Sequence, residues 1–143
     1  MSAHVLRLFL KPAHGHPMRE VPQVTAVAGK GLEGDIAYGR SRRQVLLVDQ
    51  ATLEAFDLQP GQLRENITLT GLNLPHLATG TRIQIGEAVL EVTGDCAPCD
   101  HIEAIRPGLR EAIRGQRGLL ARILAGGKIG LSDGAHLEPA DAS

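Results

Sequence analysis

Three features of the sequence predict a mostly β fold of the barrel or sandwich type. Short runs of alternating apolar and polar residues follow one another as far as Val92. Turn residues separate these runs at close intervals, since the 143 residues include 17 glycines and 8 prolines. Helical patterns are short and occur in connections or after Cys99. Many short strands between turn signals are typical of β-sandwiches and β-barrels.

The individual elements follow from these patterns in chain order. Strands are predicted at residues 5–10, 23–28, 45–48, 67–70, 82–85, 88–92, 128–130 and 135–137. Gly86 and Glu87 form a two-residue loop with glycine first, which predicts a tight β-hairpin. Asp49 is placed to cap a short helix at 50–56, and two more short helices are predicted at 101–106 and 107–114. Residues 118–124 are predicted to be helical or mixed, and 139–143 to form a flexible tail.

The composition argues against several classes of function. Aromatic residues make up 2% of the chain, which counts against a stacking surface for single-stranded nucleic acid. The formal net charge of −1 gives no basic balance for binding a duplex. No apolar run approaches the length of a membrane span, and the N-terminus lacks a signal-peptide pattern. We therefore expect one cytoplasmic domain with reduced thiols and with no nucleic-acid or membrane partner.

The chemistry is expected to centre on residues 91–103, which hold both cysteines of the chain. Cys96 and Cys99 are spaced as C-x-x-C, and Pro98 lies between them. Gly94 and Pro98 interrupt the preceding strand, so the two sulfurs should lie on a loop at its end. Rigid scaffolds often present reactive groups on such loops.

Four roles remain open for the two thiols. They could form a redox pair, although the α/β surroundings of such pairs are absent. They could bind zinc with His101 and with His136 or a carboxylate, although the chain has only one C-x-x-C pair. They could be packed as small apolar residues. Finally, one thiolate could act as a nucleophile or a metal ligand if nearby cations lowered its pKa.

A glycine-rich turn carries groups suited to an anionic ligand. The turn runs from Lys30 to Asp35 and is followed by a basic cluster at Arg40, Arg42 and Arg43. Glycines allow backbone amides to approach an anion closely, although the spacing of a Walker A loop is absent. The plainer alternative is a turn with a solvated basic face.

Arg64 and Asn66 form a second candidate group for ligand binding. The two residues are two positions apart, so in an extended chain their side chains would point to the same side. A guanidinium beside a carboxamide suits a phosphate or a polar heterocycle. A salt bridge from Arg64 to Glu65 or Glu87 is an equally good interpretation of the pattern.

Taken in order, these motifs resemble the MOSC domain, the C-terminal domain of molybdenum cofactor sulfurases, in its small stand-alone bacterial form. The matching stretches are 31–35, 43–45, 64–67 with Gly71, 77–86, 98–99 and 118–134. They occur in family order over about residues 20–138, and the whole chain, 1–143, is therefore interpreted as a single MOSC-like domain.

The resemblance implies a MOSC-type β-barrel that binds the molybdenum cofactor (molybdopterin) or carries sulfur for it. Reduction of N-hydroxylated substrates is one activity that it implies. Cys99 matches the family's invariant cysteine, so it is predicted to be the catalytic residue and either the molybdenum ligand or the persulfide carrier. The further residues predicted to bind the cofactor are Lys30, Asp35, Arg64, Asn66 and Cys96.

Departures from the family pattern bear on partners and activity. The chain lacks the aromatic residues that stand-alone relatives often carry in the C-terminal third. It also has no match to the pyridoxal phosphate-dependent desulfurase domain of full sulfurases. The expected partner is therefore a separate cysteine desulfurase or an electron-transfer protein. A non-enzymatic structural or redox C-x-x-C module that binds metal is the alternative function.

Overall fold

The computed structural model describes residues 3–138, and its strands form two sheets. In chain order the strands are β1 (His4–Leu10), β2 (Arg19–Glu20), β3 (Gln23–Val27), β4 (Gly31–Leu32), β5 (Val45–Asp49), β6 (Ile67–Thr70), β7 (Arg82–Ile85), β8 (Ala88–Asp95), β9 (Leu119–Ala125), β10 (Gly127–Gly130) and β11 (Ala135–Leu137). The helices are α1 (Gln50–Ala55), α2 (Asp100–Ile105) and α3 (Leu109–Ala112), and a 3-10 turn spans Leu74–His76. The tail predicted at 139–143 lies outside the described residues.

The large sheet has eight strands in the order β11-β7-β8-β9-β5-β6-β1-β2. Its neighbouring strands are antiparallel except for β5 and β6, which are parallel and are joined through α1. A parallel pair needs such a crossover connection, because a tight hairpin can join only antiparallel strands. The small sheet has the order β10-β3-β4. The prediction of a mostly β fold is confirmed.

The expected barrel is an open sheet, because within residues 3–138 no continuous ladder joins its two ends. Near the N-terminus of β1, His4 makes an isolated bridge to Gly134. The amide of Val5 donates to the carbonyl of Asp133, and the amide of Ala135 donates to the carbonyl of Ala3. Each of these bonds is 2.9 Å long. Ser132 has a φ of +69°, and its amide donates to the carbonyl of Val5 at 3.0 Å. Contact between β1 and the chain before β11 is therefore limited to these few bonds.

Two apolar clusters hold the elements in place. The main cluster collects buried side chains from both sheets, including Leu8, Ala26, Leu47 and Leu90. A second cluster on the helical side joins Leu53 of α1, Leu63, Ile102 of α2 and Leu109 of α3. Burial of such side chains stabilises the fold by about 25 cal/mol per Å² of apolar area. The second cluster fixes the helices that follow the cysteines against α1.

The segment 118–124 was expected to be helical or mixed, and this expectation is wrong. Residues 119–125 form β9, which lies between β8 and β5 and pairs antiparallel with both. Its buried residues alternate, with Leu119, Ala121 and Ile123 facing the core. Leucine, alanine and arginine favour helices in isolation, but pairing and burial in a sheet outweigh that preference.

Other local predictions are confirmed. The hairpin joins β7 to β8 through Gly86, whose φ of +57° suits glycine. The carboxylate of Asp49 accepts from the amide of Thr52 at 3.1 Å and so caps α1. Within 3–138, no helix is long and apolar enough to cross a membrane.

Candidate functional site

A cleft of ≈ 290 Å³ beside the cysteine loop gathers most of the polar groups that the sequence singled out. The start of β5, the chain around the starts of β6 and β9, and the loops at 11–18 and 35–44 contribute to its walls. Its cationic side chains are Lys11, Arg40, Arg43, Arg64 and Arg117. Its acidic, amide and thiol groups are Asp35, Gln44, Asn66 and Cys96. Five cations against one carboxylate give the cleft a net positive charge, which favours anions over cations.

Asp35 and Asn66 form a hydrogen-bonded scaffold within the cleft wall. Oδ1 of Asp35 accepts from the amide of Lys11 at 2.8 Å and from Nδ2 of Asn66 at 3.1 Å. The second N–H of that amide group donates to the carbonyl of Phe9 at 3.2 Å, and Oδ1 of Asn66 accepts from the amide of Leu46 at 2.9 Å. Asn66 thereby ties β1 to β5, and most of its hydrogen-bonding capacity is already used.

The scaffold extends into the loop after β4. Oδ2 of Asp35 accepts from the amide of Ala37 at 3.0 Å, which begins the turn toward the basic cluster. Farther along, Nε2 of Gln44 donates to the carbonyl of Arg40 at 2.6 Å, and Oε1 of Gln44 accepts from the amide of Ile123. These bonds attach the loop that carries Arg40 and Arg43 to the central strand β9.

Arg64 is held in the cleft by a strained turn. Its φ is +60°, so the backbone is left-handed and not extended as the sequence argument assumed. Fully buried Glu65 closes the turn, because its Oε2 accepts from the amide of Gly61 at 3.0 Å and from Oγ1 of Thr68 at 2.8 Å. Arg64 is exposed and makes no ion pair with any described residue, so the alternative of a salt bridge to Glu65 or Glu87 is not formed.

Arg117 is one of two cleft cations that sequence reasoning missed. It lies between α3 and β9 and is only 5% exposed. Its Nε and Nη1 have no hydrogen-bond partner among the residues described. A buried guanidinium without partners is costly, since both its charge and its donors have lost water. Nothing in the local pattern marks this position, because an arginine next to a glycine in a loop is ordinary.

The two cysteines lie in different surroundings, and both are free thiols. Cys96 is buried in the cleft wall, and its amide donates to the carbonyl of Gly118 at 2.9 Å. Cys99 is exposed at the residue that precedes α2. Across residues 3–138 no group of three or more His, Cys, Asp or Glu side chains could hold a metal ion, so the zinc site that included His101 and His136 is not formed.

The pKa of His101 is affected by three of the cationic side chains that line the cleft. Its Nε2 lies 3.1 Å from the carbonyl oxygen of Gln62. Burial lowers the pKa of His101, the bond to Gln62 opposes this change, and the charges of Arg64, Arg117 and Lys11 lower the pKa further. Three cations therefore lie within electrostatic range of one imidazole.

The structure brings together four of the six predicted site residues. Asp35, Arg64, Asn66 and Cys96 all line the cleft. Cys99 is not part of its lining, and its predicted role stays a prediction. Lys30 is exposed in the turn between β3 and β4, outside the lining, so its predicted role has no support from the geometry. Lys11 was also missed, because a single lysine directly after a strand carries no signal of its own.

Solved structures share this fold at low sequence identity. The YUAD protein from Bacillus subtilis has a TM-score of 0.82 at 20% identity, and the alignment covers 99% of this chain and 98% of that one. YiiM from Geobacillus stearothermophilus has a TM-score of 0.77 at 18% identity, with 99% and 77% covered. YiiM from Escherichia coli has a TM-score of 0.75 at 19% identity, with 100% and 72% covered.

The sequence itself matches one family. A comparison with curated protein sequences finds no match. The family model of the MOSC domain matches residues 33–135, which is more than half of the chain. The matched range includes the second half of the glycine turn, Arg64 and Asn66, both cysteines and Arg117. This chain therefore belongs to the MOSC domain family.

Proposed function

We propose that this protein binds the molybdenum cofactor in the basic cleft or carries sulfur for that cofactor. The observation that carries the proposal is the placement of a C-x-x-C loop with free thiols beside a cleft with five cationic side chains. The cations suit an anionic ligand, and a thiolate suits a soft metal or a sulfane sulfur. Cys99 is assigned the role of molybdenum ligand or persulfide carrier.

The residues present fit the chemical groups of molybdopterin. The phosphate of that cofactor would be held by arginines such as Arg64 and Arg117, whose guanidinium groups match phosphate oxygens. The free lone pair of Asn66 Oδ1 and the backbone around it would meet the polar edge of the pterin. When bound, the molybdenum centre supplies two-electron redox chemistry. Reduction of N-hydroxylated substrates is the reaction we assign if the protein is an enzyme.

The unequal exposure of the two thiols supports the assignment of sulfur transfer to Cys99. A persulfide is delivered by direct contact with a donor protein, and Cys99 is exposed while Cys96 is 9% exposed. An accessible thiol can meet a separate cysteine desulfurase, whereas a buried one cannot. Cys96 is assigned a supporting role in the cleft wall.

The test compares serine variants of the two cysteines in protein purified from a molybdate-replete host. Molybdenum, pterin fluorescence and cyanolysable sulfur are measured for each variant. We expect Cys99→Ser to abolish cofactor retention or persulfide formation, and Cys96→Ser to weaken it modestly. Retention in Cys99→Ser would end the assignment. Equal and complete loss in two folded variants would indicate a paired redox site instead.

A turnover assay distinguishes a sulfur carrier from an enzyme. A carrier holds cyanolysable sulfur and does not reduce N-hydroxylated bases. Robust reduction of such substrates by the reconstituted protein with an electron-transfer partner would exclude the carrier-only function. The exposure of Cys99 does not distinguish a sulfur carrier from an enzyme, because both an electron donor and a sulfur donor need access to the site.

A further inference from the structure

Residues 40–43, which we call the strap, form an exposed segment along one side of the basic cleft. Arg40 and Arg43 line the cleft, whereas Arg42, which lies between them in the chain, does not. The two ends of the strap are held together, because Nε2 of buried Gln44 donates to the carbonyl of Arg40 at 2.6 Å. The middle of the strap therefore depends on other contacts for its position.

Two reciprocal hydrogen bonds between Arg42 and Thr93 of β8 attach the middle of the strap to the large sheet. Nη2 of Arg42 donates to the carbonyl of Thr93 at 3.2 Å, and Oγ1 of Thr93 donates to the carbonyl of Arg42 at 2.9 Å. We call this pair of bonds the latch. Both bonds are exposed to water, so each contributes modestly and can break without unfolding the sheet.

A bulge in β8 makes Thr93 available for the latch. The pairing of β8 with β9 shifts register between Val92 and Gly94, so Thr93 is the extra residue. The extra residue of a bulge is left out of the ladder, which frees its carbonyl for Arg42. Three residues farther along the chain, Cys96 lies in the cleft wall. The latch thus joins the strap to the segment that leads to this thiol.

The other residues of the strap lack such contacts. Among the described residues, Ser41 and Arg43 take part in no hydrogen bond or ion pair. The latch is therefore what fixes the middle of the strap. A segment that is exposed and held by few bonds opens at a low cost in free energy, in contrast to the buried strands beside it.

We propose that the strap is a gate of the basic cleft and that the Arg42–Thr93 latch holds this gate closed. When the latch breaks, the strap moves away from β8 and widens the access to the thiol of Cys96. The inference goes beyond the proposed function, because it concerns access to the cleft for any occupant. The open form is a minor state of the empty protein, so its population can be measured without cofactor.

Alkylation of Cys96 by iodoacetamide tests the gate in the Cys99→Ser form of the whole chain, purified without cofactor. The reagent is neutral, so the charge of the cleft does not steer it. Thr93→Val removes the hydroxyl donor and keeps a β-branched side chain that suits a strand. It should increase the alkylation rate about threefold to tenfold, because the rate follows the population of the open form and one hydrogen bond is lost. Arg42→Gln removes the guanidinium of the latch and should increase the rate to a similar extent.

Two matched variants control for effects unrelated to the latch. Thr93→Ser keeps the hydroxyl, and Thr79→Val makes the same chemical change at an exposed threonine outside the strap. Both should stay within about twofold of the parent rate. Tryptic cleavage after Arg40 gives a second measure of opening, since Thr93→Val leaves every tryptic site unchanged. This cleavage should accelerate in Thr93→Val in parallel with the alkylation.

Faster alkylation in both latch variants, with both controls unchanged, supports the gate. An unchanged rate in either folded latch variant overturns it, and so does an equal increase in Thr79→Val. Faster cleavage after Arg40 without faster alkylation also overturns it, because the strap then moves without opening the cleft. If Thr93→Val does not fold, Arg42→Gln decides alone, since its side chain is exposed. Failure to retain molybdenum or sulfur in loaded protein would refute the proposed function and leave the gate intact.

Discussion

Two buried polar groups lie in the same cleft and are buried to nearly the same extent, but they differ in whether their hydrogen bonds are satisfied. Asn66 is 6% exposed, and its side chain bonds to three other residues. Arg117 is 5% exposed and leaves two donors unpaired. Satisfied polar groups specify the fold, whereas an unsatisfied one is a cost that a ligand can remove. The difference assigns Asn66 mainly to the scaffold and Arg117 to binding.

The largest effect on stability is expected from removing the scaffold group. Asn66→Ala leaves the amide of Leu46 and Oδ1 of Asp35 with fewer partners, so it should lower the free energy of unfolding by about 2–4 kcal/mol. Urea denaturation measures the change. Asn73→Ala is the control, because Asn73 is exposed and its side chain caps nothing. A loss below about 0.5 kcal/mol in Asn66→Ala would contradict the scaffold role.

Removal of the unpaired cation, Arg117, is expected to increase the free energy of unfolding. Arg117→Met keeps much of the side-chain volume and removes a buried charge, so it should raise the free energy of unfolding by about 1–3 kcal/mol in the absence of ligand. Urea denaturation without phosphate measures this change. Arg122→Met, which breaks a surface pair with Glu91, should lower stability by about 1 kcal/mol or less. Destabilisation by Arg117→Met would place this arginine with the scaffold and remove the contrast with Asn66.

A smaller effect on stability distinguishes the backbone strain at Arg64 from the contribution of its side chain. Glycine adopts a φ of +60° without the steric cost that other residues meet there. Arg64→Gly should therefore be more stable than Arg64→Ala by about 1 kcal/mol, although both variants lose the guanidinium. Thermal unfolding ranks the two variants, and phosphate titration should show equal losses of affinity. Equal stability would mean that the turn relaxes and stores no strain.

The smallest effect concerns pH and lies outside the cleft. Hydrogen bonds from the amides of Gly108 and Arg110 lower the pKa of Glu103 below its ordinary value of 4.5. This carboxylate therefore adds stability above pH 4.5, and the gain is lost as the pH falls through the lowered pKa. Glu103→Gln should be less stable than the wild type at neutral pH and nearly equal to it in strong acid. Parallel curves of stability against pH for the two proteins would contradict a lowered pKa of Glu103 in the folded state.

Local patterns were sufficient for much of the fold. The hairpin at Gly86 and the capped helix after Asp49 follow from neighbouring residues alone, because turn conformation and capping are short-range effects. The strand β9 did not follow, since its residues favour a helix and only its neighbours β8 and β5 make it a strand. The sequence also did not predict that the barrel is open, because closure depends on how the turn at Ser132 contacts β1.

The candidate site divides in the same way. By its ordered motifs the sequence alone determined the family and the mostly β class, whereas the role of the cysteine loop stays a prediction. Only the tertiary structure decided which groups share the cleft: it brought Lys11 and Arg117 beside Arg64, excluded Lys30, and placed Cys96 in the wall with Cys99 outside it. The reason is physical. Motifs record local chemistry, whereas burial and the lack of a hydrogen-bond partner arise only when distant segments pack together.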